Sequence, residues 1–131
     1  MKQHGILNSP ISQVLSTMGH TDQLTIADCG LPIHDESQRI DLSLTIGTPS
    51  FIDVLEAVAA DMAIEKVIIA SEIRTHNPKL LTYLKDQFSE LEIEFVDHET
   101  FKKLTHHSKA VIRTGEATPY ANIILQSGVI F

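Results

Sequence analysis

The apolar residues of the chain follow two spacings that alternate along the sequence. Helical spacing, with an apolar residue every three or four positions, follows Ser9-Pro10 and recurs from Phe51 to a predicted end near Ala63. A third helix is predicted to begin at Asn77-Pro78, and a short fourth helix to cover about 99–105. Ser9 and Ser50 are the expected N-terminal caps of the first two helices.

Short apolar runs between these helices predict β-strands. We expect six of them: Leu24–Ala27, Arg39–Leu44, Val67–Ala70, Ile93–Val96, Ala110–Arg113 and Ala121–Leu125. The Val67–Ala70 run is continuously apolar, which is typical of a strand covered on both faces. Because helices and strands alternate without a linker, residues 1–131 are predicted to form one α/β domain. We expect a three-layer α/β/α sandwich around a mainly parallel sheet.

Composition and charge narrow the classes of function. The chain has 17 acidic and 10 basic residues, a net charge of −7, and no tryptophan, so binding to nucleic acid is not expected. No apolar run approaches the ~20 residues that span a bilayer, and no secretory signal is visible at the N-terminus. With one cysteine, Cys29, a cytoplasmic location is the expectation.

Polar residues directly follow several predicted strands. These are Asp28, Glu72, His98 and the turn between Arg113 and Tyr120. Ligands of open α/β sheets bind beyond the carboxyl ends of the strands, so these positions are the first candidates for a site. The sequence has no HxxxH or CxxC spacing, and we therefore expect no metal site.

Two titratable residues flank the first predicted strand. His20 follows Gly19, which ends a helix, and the partial negative charge there favours the imidazolium form by roughly 0.3–1 kcal/mol. Such a histidine can act as a general acid or base, or it can simply cap the last carbonyls of the helix. Asp28 can orient a sugar hydroxyl or close its own glycine-proline turn. His98 can bind a ligand or cap the short helix that it begins.

Tyr120 and Asn122 flank Ala121 with strand spacing, so both side chains are predicted to point to the same face. A phenol and an amide on one face make a plausible patch for recognising a polyol. Asn122 also interrupts a strand that is otherwise apolar.

Several of these segments, in the same order, resemble the D-ribose pyranase (RbsD) family of sugar mutarotases. The matching segments run nearly from end to end and are Gly5–Ser9, Gly19–Asp22, Ala27–Pro32, Arg39–Leu42, Ala110–Glu116 and Thr118–Leu125. The resemblance implies interconversion of the pyranose and furanose forms of D-ribose without a cofactor. It implies that His20 is the catalytic acid, and that the sugar is held by Asp28, His98, Tyr120, Ala121 and Asn122. It also implies a ring-shaped homo-oligomer, a decamer, with sites at the subunit interfaces.

Two other functions are compatible with the sequence. One is a mutarotase for another sugar such as fucose, and the other is a non-catalytic ribose-binding or regulatory module of ribose uptake. A histidine beside a carboxylate favours catalysis, since pure sugar binding rarely needs a group that titrates near neutral pH.

The strand between His20 and Asp28 sets a geometric expectation. Five strand residues span roughly 17 Å at ~3.3 Å per residue, so one side chain lies at each end. We therefore expect His20 of one subunit to face Asp28 or Tyr120 across a subunit contact, unless the turn after Gly19 folds back.

Overall fold

The computed structural model describes all 131 residues, Met1–Phe131. The chain forms five α-helices and six β-strands. The helices are α1 Ser9–Thr17, α2 Phe51–Ala59, α3 Ile73–His76, α4 Pro78–Gln87 and α5 His98–Leu104. The strands are β1 Gln23–Ala27, β2 Arg39–Asp41, β3 Ile64–Ala70, β4 Glu92–Val96, β5 Val111–Arg113 and β6 Ile123–Ser127. None of the helices has the length and apolar character needed to cross a membrane.

The six strands form one mixed sheet in the order β2-β5-β1-β6-β3-β4. Five strands run in the same direction, and β6 lies antiparallel between β1 and β3. A parallel return usually needs a crossover of a dozen or more residues, commonly a helix. Only residues 114–122 separate β5 from β6, and they contain no helix, which explains the reversed direction. The prediction of an α/β fold with a mainly parallel sheet is confirmed.

The two faces of the sheet are covered unequally. Helices α1, α2 and α4 pack on one face, where a cluster of 21 buried residues forms the main core. Helix α5 covers the other face over a smaller cluster of 7 buried residues, among them Ile68 and Phe101. Strand β3 serves both clusters, because Val67 and Ile69 face the first while Ile68 and Ala70 face the second. The predicted three layers are present, with one thick and one thin helical layer.

Several predicted boundaries were wrong for local reasons. The cap of α1 is Asn8 rather than Ser9, since the Asn8 side chain accepts a hydrogen bond from Ile11 N at 3.0 Å. Helix α2 ends at Ala59, four residues before the predicted end, and β3 begins at Ile64. Strand β2 stops at Asp41, and Leu44, which was assigned to that strand, is exposed. Ser50 caps α2 as predicted.

Candidate functional site

The first half of the site lies at the carboxyl end of β1, where Asp28 is held in a fixed orientation. Asn122 Nδ2 donates to Asp28 Oδ2 and Asp28 N donates to Asn122 Oδ1, each at 2.8 Å. The second carboxylate oxygen accepts from Gly30 N at 2.9 Å. Asp28 therefore closes its own turn, and Asn122 ties it to the start of β6, while its contact with a sugar hydroxyl stays a prediction.

The loop that carries Asp28 is tied down by the end of β5. Thr114 donates to Ala27 O through both its amide (2.9 Å) and its hydroxyl (2.8 Å). Cys29 N donates to Glu116 O, and Arg113 Nε donates to Cys29 O. These bonds satisfy the backbone of a turn that belongs to no strand, so the turn has one defined shape. Cys29 is a half-buried free thiol, and the structure gives it no catalytic partner.

His98 lies beside Asp28 at the start of α5. The cap of that helix is Asp97, whose carboxylate accepts from Thr100 N at 2.8 Å, so the alternative in which His98 serves as the cap was wrong. This bond is the main reason why the pKa of Asp97 lies below its ordinary value. The backbone amide of His98 donates to Glu72 Oε1 at 3.0 Å, and this contact is the main cause of the lowered pKa of Glu72.

The imidazole of His98 is held between two aromatic rings. It stacks on Phe101 with centroids 6.4 Å apart and meets Tyr120 edge-on at 5.1 Å. Its Nδ1 is buried and has no hydrogen-bond partner. An N–H at that position would be a buried, unpaired donor, which costs more than a bare lone pair. The neutral ring therefore carries its hydrogen on Nε2 and acts as a donor from that atom.

Tyr120 reaches the site by a different route from the one predicted. Strand β6 begins only at Ile123, and Tyr120 has a left-handed backbone with φ of 56°. The strand-spacing argument for Tyr120 and Asn122 was therefore wrong. Asn122 points inward and is 1% exposed, Ala121 is fully buried, and Tyr120 remains half-buried beside His98. Direct contact of Ala121 and Asn122 with a sugar stays a prediction, and the structure gives Asn122 a role through Asp28.

These groups surround a cavity of about 340 Å³. Its lining residues are Asp28, Gly30, Leu31, Pro32, His98, Pro119 and Tyr120. The wall combines a fixed carboxylate, an imidazole and a phenol with apolar and glycine surfaces. Such a cavity can accept and donate hydrogen bonds to several hydroxyls while an apolar face packs against carbon atoms.

The second half of the site lies at the amino end of β1, where His20 occupies a tight turn. Asp22 N donates to Gly19 O at 3.2 Å, and Thr21 has φ of 69°, as in the third residue of a type II turn. The Asp22 carboxylate accepts from Gly19 N, which is the main cause of its lowered pKa, and it also pairs with Lys109. His20 is therefore the second residue of a turn that is closed from both sides.

His20 does not cap the preceding helix. Its single hydrogen bond joins Nε2 to Glu65 Oε2 at 2.9 Å, so the capping alternative was wrong. The ring is 54% exposed and lines a cavity of about 380 Å³ that also contains Asp61, Met62 and the C-terminal residues 127–131. Glu65 in turn accepts from Gln126 Nε2, and the Gln126 and His20 contacts together lower the pKa of Glu65.

Within one chain, the two halves are separate. His20 and Asp28 line different cavities at opposite ends of β1, as the length of the strand predicted, and the turn after Gly19 does not bring them together. A meeting of the two halves across a subunit contact stays a prediction. No three His, Cys, Asp or Glu side chains come close enough to hold a metal ion.

Two residues near the site could not be assigned from the sequence. Glu65 precedes the apolar run that marked β3, so nothing in the pattern connected it with His20. The position of Glu72 after a predicted strand made it a candidate, but the sequence does not indicate its hydrogen bond to the His98 amide.

Comparison with known proteins shows which protein family this chain is similar to. The family model described as the RbsD / FucU transport protein family matches residues 1–130. The chain is 58% identical to the D-ribose pyranase of Bacillus velezensis and 56% identical to that of Bacillus cytotoxicus, in each case over 100% of both chains.

Solved structures of two sugar-bound proteins are also similar to this chain. The Bacillus subtilis RbsD complexed with D-ribose superposes with a TM-score of 0.97 at 55% identity, covering 100% of both chains. The fucose mutarotase of Streptococcus pneumoniae in complex with L-fucose has a TM-score of 0.80 at 21% identity, covering 95% of each chain, so that likeness extends to the fold alone.

Proposed function

Because the chain belongs to the RbsD / FucU transport protein family, we propose that it is a D-ribose pyranase. In this role it is an isomerase that interconverts the β-pyranose and β-furanose forms of D-ribose. The observation that carries the proposal is the 56–58% identity, over the whole chain, to proteins named D-ribose pyranase. The 55% identical RbsD structure contains D-ribose itself, which supports ribose rather than another sugar.

The reaction requires only proton transfers. In the pyranose, a proton is delivered to the ring oxygen and another leaves the anomeric hydroxyl, so that the C1–O5 bond breaks and an open-chain aldehyde forms. Attack of the C4 hydroxyl on C1, with the reverse proton movements, then closes the furanose. Positioned acids and bases typically accelerate such steps by ~10²–10⁴-fold without a cofactor.

The side chains divide these tasks. His20 is the acid, because its ring is exposed and only one of its nitrogens is occupied by a hydrogen bond. Asp28 accepts hydrogen bonds from sugar hydroxyls, and Asn122 and Gly30 keep its carboxylate in place. His98 donates from Nε2, and Tyr120, whose ring meets that of His98 edge-on, lines the cavity beside it. Residues 120–122 complete the sugar site, with Ala121 and Asn122 fixing the backbone of the loop.

The separation of His20 from Asp28 supports a shared site. We propose a ring-shaped homo-oligomer in which His20 of one subunit completes the cavity beside Asp28 of its neighbour. The exposed Leu44 and Ile46, at 78% and 86%, and the exposed C-terminal Ile130 and Phe131 are apolar surface available for such contacts. The single cysteine fits the cytoplasm, which we propose as the compartment.

The test is the rate of ribose exchange, measured by NMR saturation transfer with and without protein. The wild-type chain should accelerate exchange between the two ring forms, and His20→Ala should lose that acceleration while keeping its oligomeric size. His107→Ala is the matched control, since His107 is exposed and lines neither cavity. An unimpaired His20→Ala protein would contradict the assignment of the acid.

The same measurement separates the two other functions. A fucose-type mutarotase would accelerate exchange of fucose more than that of ribose. A ribose-binding or regulatory module would bind ribose saturably without any change in the exchange rate.

A further inference from the structure

The environment of His20 contains a chain of hydrogen bonds with a defined direction. Gln23 Nε2 donates to Gln126 Oε1 at 3.2 Å, and Gln126 Nε2 donates to Glu65 Oε1 at 2.8 Å. The other oxygen of Glu65 meets His20 Nε2 at 2.9 Å. A carboxylate can only accept, so the hydrogen between Glu65 and His20 belongs to His20 Nε2.

The backbone places Glu65 for this contact. Ile64 pairs with Ser127 and Lys66 with Gln126, so Glu65 is the extra residue of a β-bulge between β3 and β6. Bulges redirect a side chain that a regular strand would point elsewhere, and they are frequent next to active sites. The neighbouring Gly128 leaves room for it, since a Cβ there would lie 3.1 Å from Glu65 Cβ.

The turn that carries His20 is hydrogen-bonded to Ser127, the last residue of β6. Thr21 N donates to Ser127 O at 2.9 Å, and Ser127 N donates to Asp22 O at 2.8 Å. The histidine and its carboxylate partner are therefore attached to adjacent positions of one rigid sheet. The backbone thus brings two side chains that are 54% and 35% exposed within hydrogen-bonding distance of each other.

We propose that Glu65 is the positioning residue of His20: it holds the ring with its hydrogen on Nε2, so that Nδ1 is the atom that exchanges a proton with the sugar. The inference rests on the proposed function and deepens it. During ring opening, the imidazolium gives the Nδ1 proton to the ring oxygen of the pyranose, and the proton of the anomeric hydroxyl goes to water. His20 then remains neutral, with Nε2–H still donated to Glu65.

Other charged groups near His20 have different partners. Asp22 is bound to Gly19 N and pairs with Lys109. Asp61 lines the same cavity and has no hydrogen bond to the ring. Glu65 is thus the carboxylate that can select the tautomer of His20.

Glu65→Gln gives a directional test. In the present network Gln126 directs its oxygen toward Gln23 Nε2 and its NH₂ toward residue 65, so the new glutamine preserves these bonds by turning its oxygen toward Gln126 and its NH₂ toward His20. His20 Nε2 must then accept, which moves the hydrogen to Nδ1. In the ¹⁵N spectrum of the His20 ring, we expect Nδ1 to become the protonated nitrogen and Nε2 the unprotonated one. We also expect kcat for ribose exchange to fall about 10- to 100-fold, with KM nearly unchanged.

A second substitution should reverse the effect. In Glu65→Gln/Gln126→Glu, the carboxylate at position 126 accepts from residue 65, which turns the oxygen of that amide back to His20. Both the tautomer and most of kcat should return. Glu90→Gln is the matched control, since it removes an exposed carboxylate that lines neither cavity, and it should change neither.

Three results would overturn the proposal. They are a wild-type protein with its His20 hydrogen on Nδ1, a Glu65→Gln protein whose tautomer is unchanged, and a loss of kcat that the double variant does not restore. The wild-type measurement requires neither a variant nor activity. If wild-type protein fails to accelerate ribose exchange, the proposed function fails, and the ¹⁵N signals still decide the role of Glu65.

Discussion

At the scale of single residues, the site depends on polar side chains that are fixed by other polar side chains. Asn122 uses both ends of its amide on Asp28, accepting from the backbone and donating to the carboxylate. This reciprocal pair orients the carboxylate before any sugar arrives, so binding does not have to restrict it further. Preorganisation of this kind lowers the entropic cost of binding.

Replacing Asn122 with alanine should therefore affect ribose binding only through Asp28. We expect Asn122→Ala to reduce the free energy of unfolding by about 1–3 kcal/mol, because the backbone amide of the half-buried Asp28 loses its acceptor. It should also weaken ribose binding, measured by calorimetry. In an Asp28→Ala background, the same change should weaken binding no further.

An additive loss in the double variant would mean that Asn122 contacts the sugar independently. In that case the direct contact predicted from the sequence would be the better description. Binding curves of the four proteins in this cycle decide between the two.

The residue scale also shows what the sequence could not reveal. Asp28 and His98 were found because each directly follows an apolar strand, and position after a strand is visible in the sequence. Glu65 was missed because it lies in a bulge, where the alternation of apolar and polar residues no longer indicates direction. Hydrogen bonds between residues 45 positions apart leave no local pattern.

At the scale of elements, the helices with a clear apolar stripe, the short helix α5 and all six strands were predictable, and the four-residue helix α3 was not. The stripes of α1, α2 and α4 follow from the helical period, and all three helices are present. Helix α3 covers only four residues, Ile73–His76, too few to show a period. The antiparallel direction of β6 was not predicted, although the short connection from β5 without a helix indicates it.

A polar contact between α2 and α4 gives a dependence on pH. Tyr83 donates to Glu56 Oε1 at 2.8 Å, and burial, followed by this bond, raises the pKa of the phenol from 10.0 to about 12. The unfolded chain therefore releases this proton at lower pH than the folded chain does. The stabilisation is complete below the unfolded pKa and is lost as pH rises from 10 toward 12.

We expect the urea midpoint of the wild type to fall over this range more steeply than that of Tyr83→Phe. Glu56→Gln keeps an acceptor but removes the charge, so it should show an intermediate slope. Equal slopes in wild type and Tyr83→Phe would show that the contact does not influence stability in alkaline solution.

The turn after β5 packs against the loop before α2 without space for a side chain. A Cβ on Gly115 would lie 2.4 Å from Thr48 O and 2.5 Å from Thr45 O, and backbone atoms cannot move aside as a flexible side chain can. Gly115→Ala should therefore reduce the free energy of unfolding by about 1–3 kcal/mol in urea titrations. Gly19→Ala, whose nearest atom is 3.8 Å away, is the control and should cost less.

At the scale of the whole molecule, β1 separates two half-sites. The turn of His20 is at one end of the strand, and the cavity of Asp28 and His98 is at the other. A single sugar is much shorter than the roughly 17 Å of a five-residue strand, so in this structure one chain does not bring both groups to one sugar. In a closed ring, each subunit presents one surface to one neighbour and a different surface to the other. The His20 end of one subunit can therefore lie against the Asp28 end of the next at every contact.

This arrangement predicts complementation between two inactive variants. His20→Ala and Asp28→Ala subunits should each form inactive assemblies, with a mass of ten times the 14.5 kDa of one chain if the ring is a decamer. After equal amounts are unfolded and refolded together, some interfaces pair an intact His20 with an intact Asp28. Random pairing makes about one interface in four complete, so NMR should show roughly a quarter of the wild-type exchange rate.

Mixing the two variants without unfolding provides the control, since subunits that stay in their own assemblies cannot complement. If each chain contained a complete site, every subunit in the mixture would still lack one essential group. The refolded mixture would then remain inactive, and His20 and Asp28 would have to meet within one chain by a movement of the Gly19–Asp22 turn. Activity that appears only after refolding would identify the subunit interface as the place where the two half-sites meet.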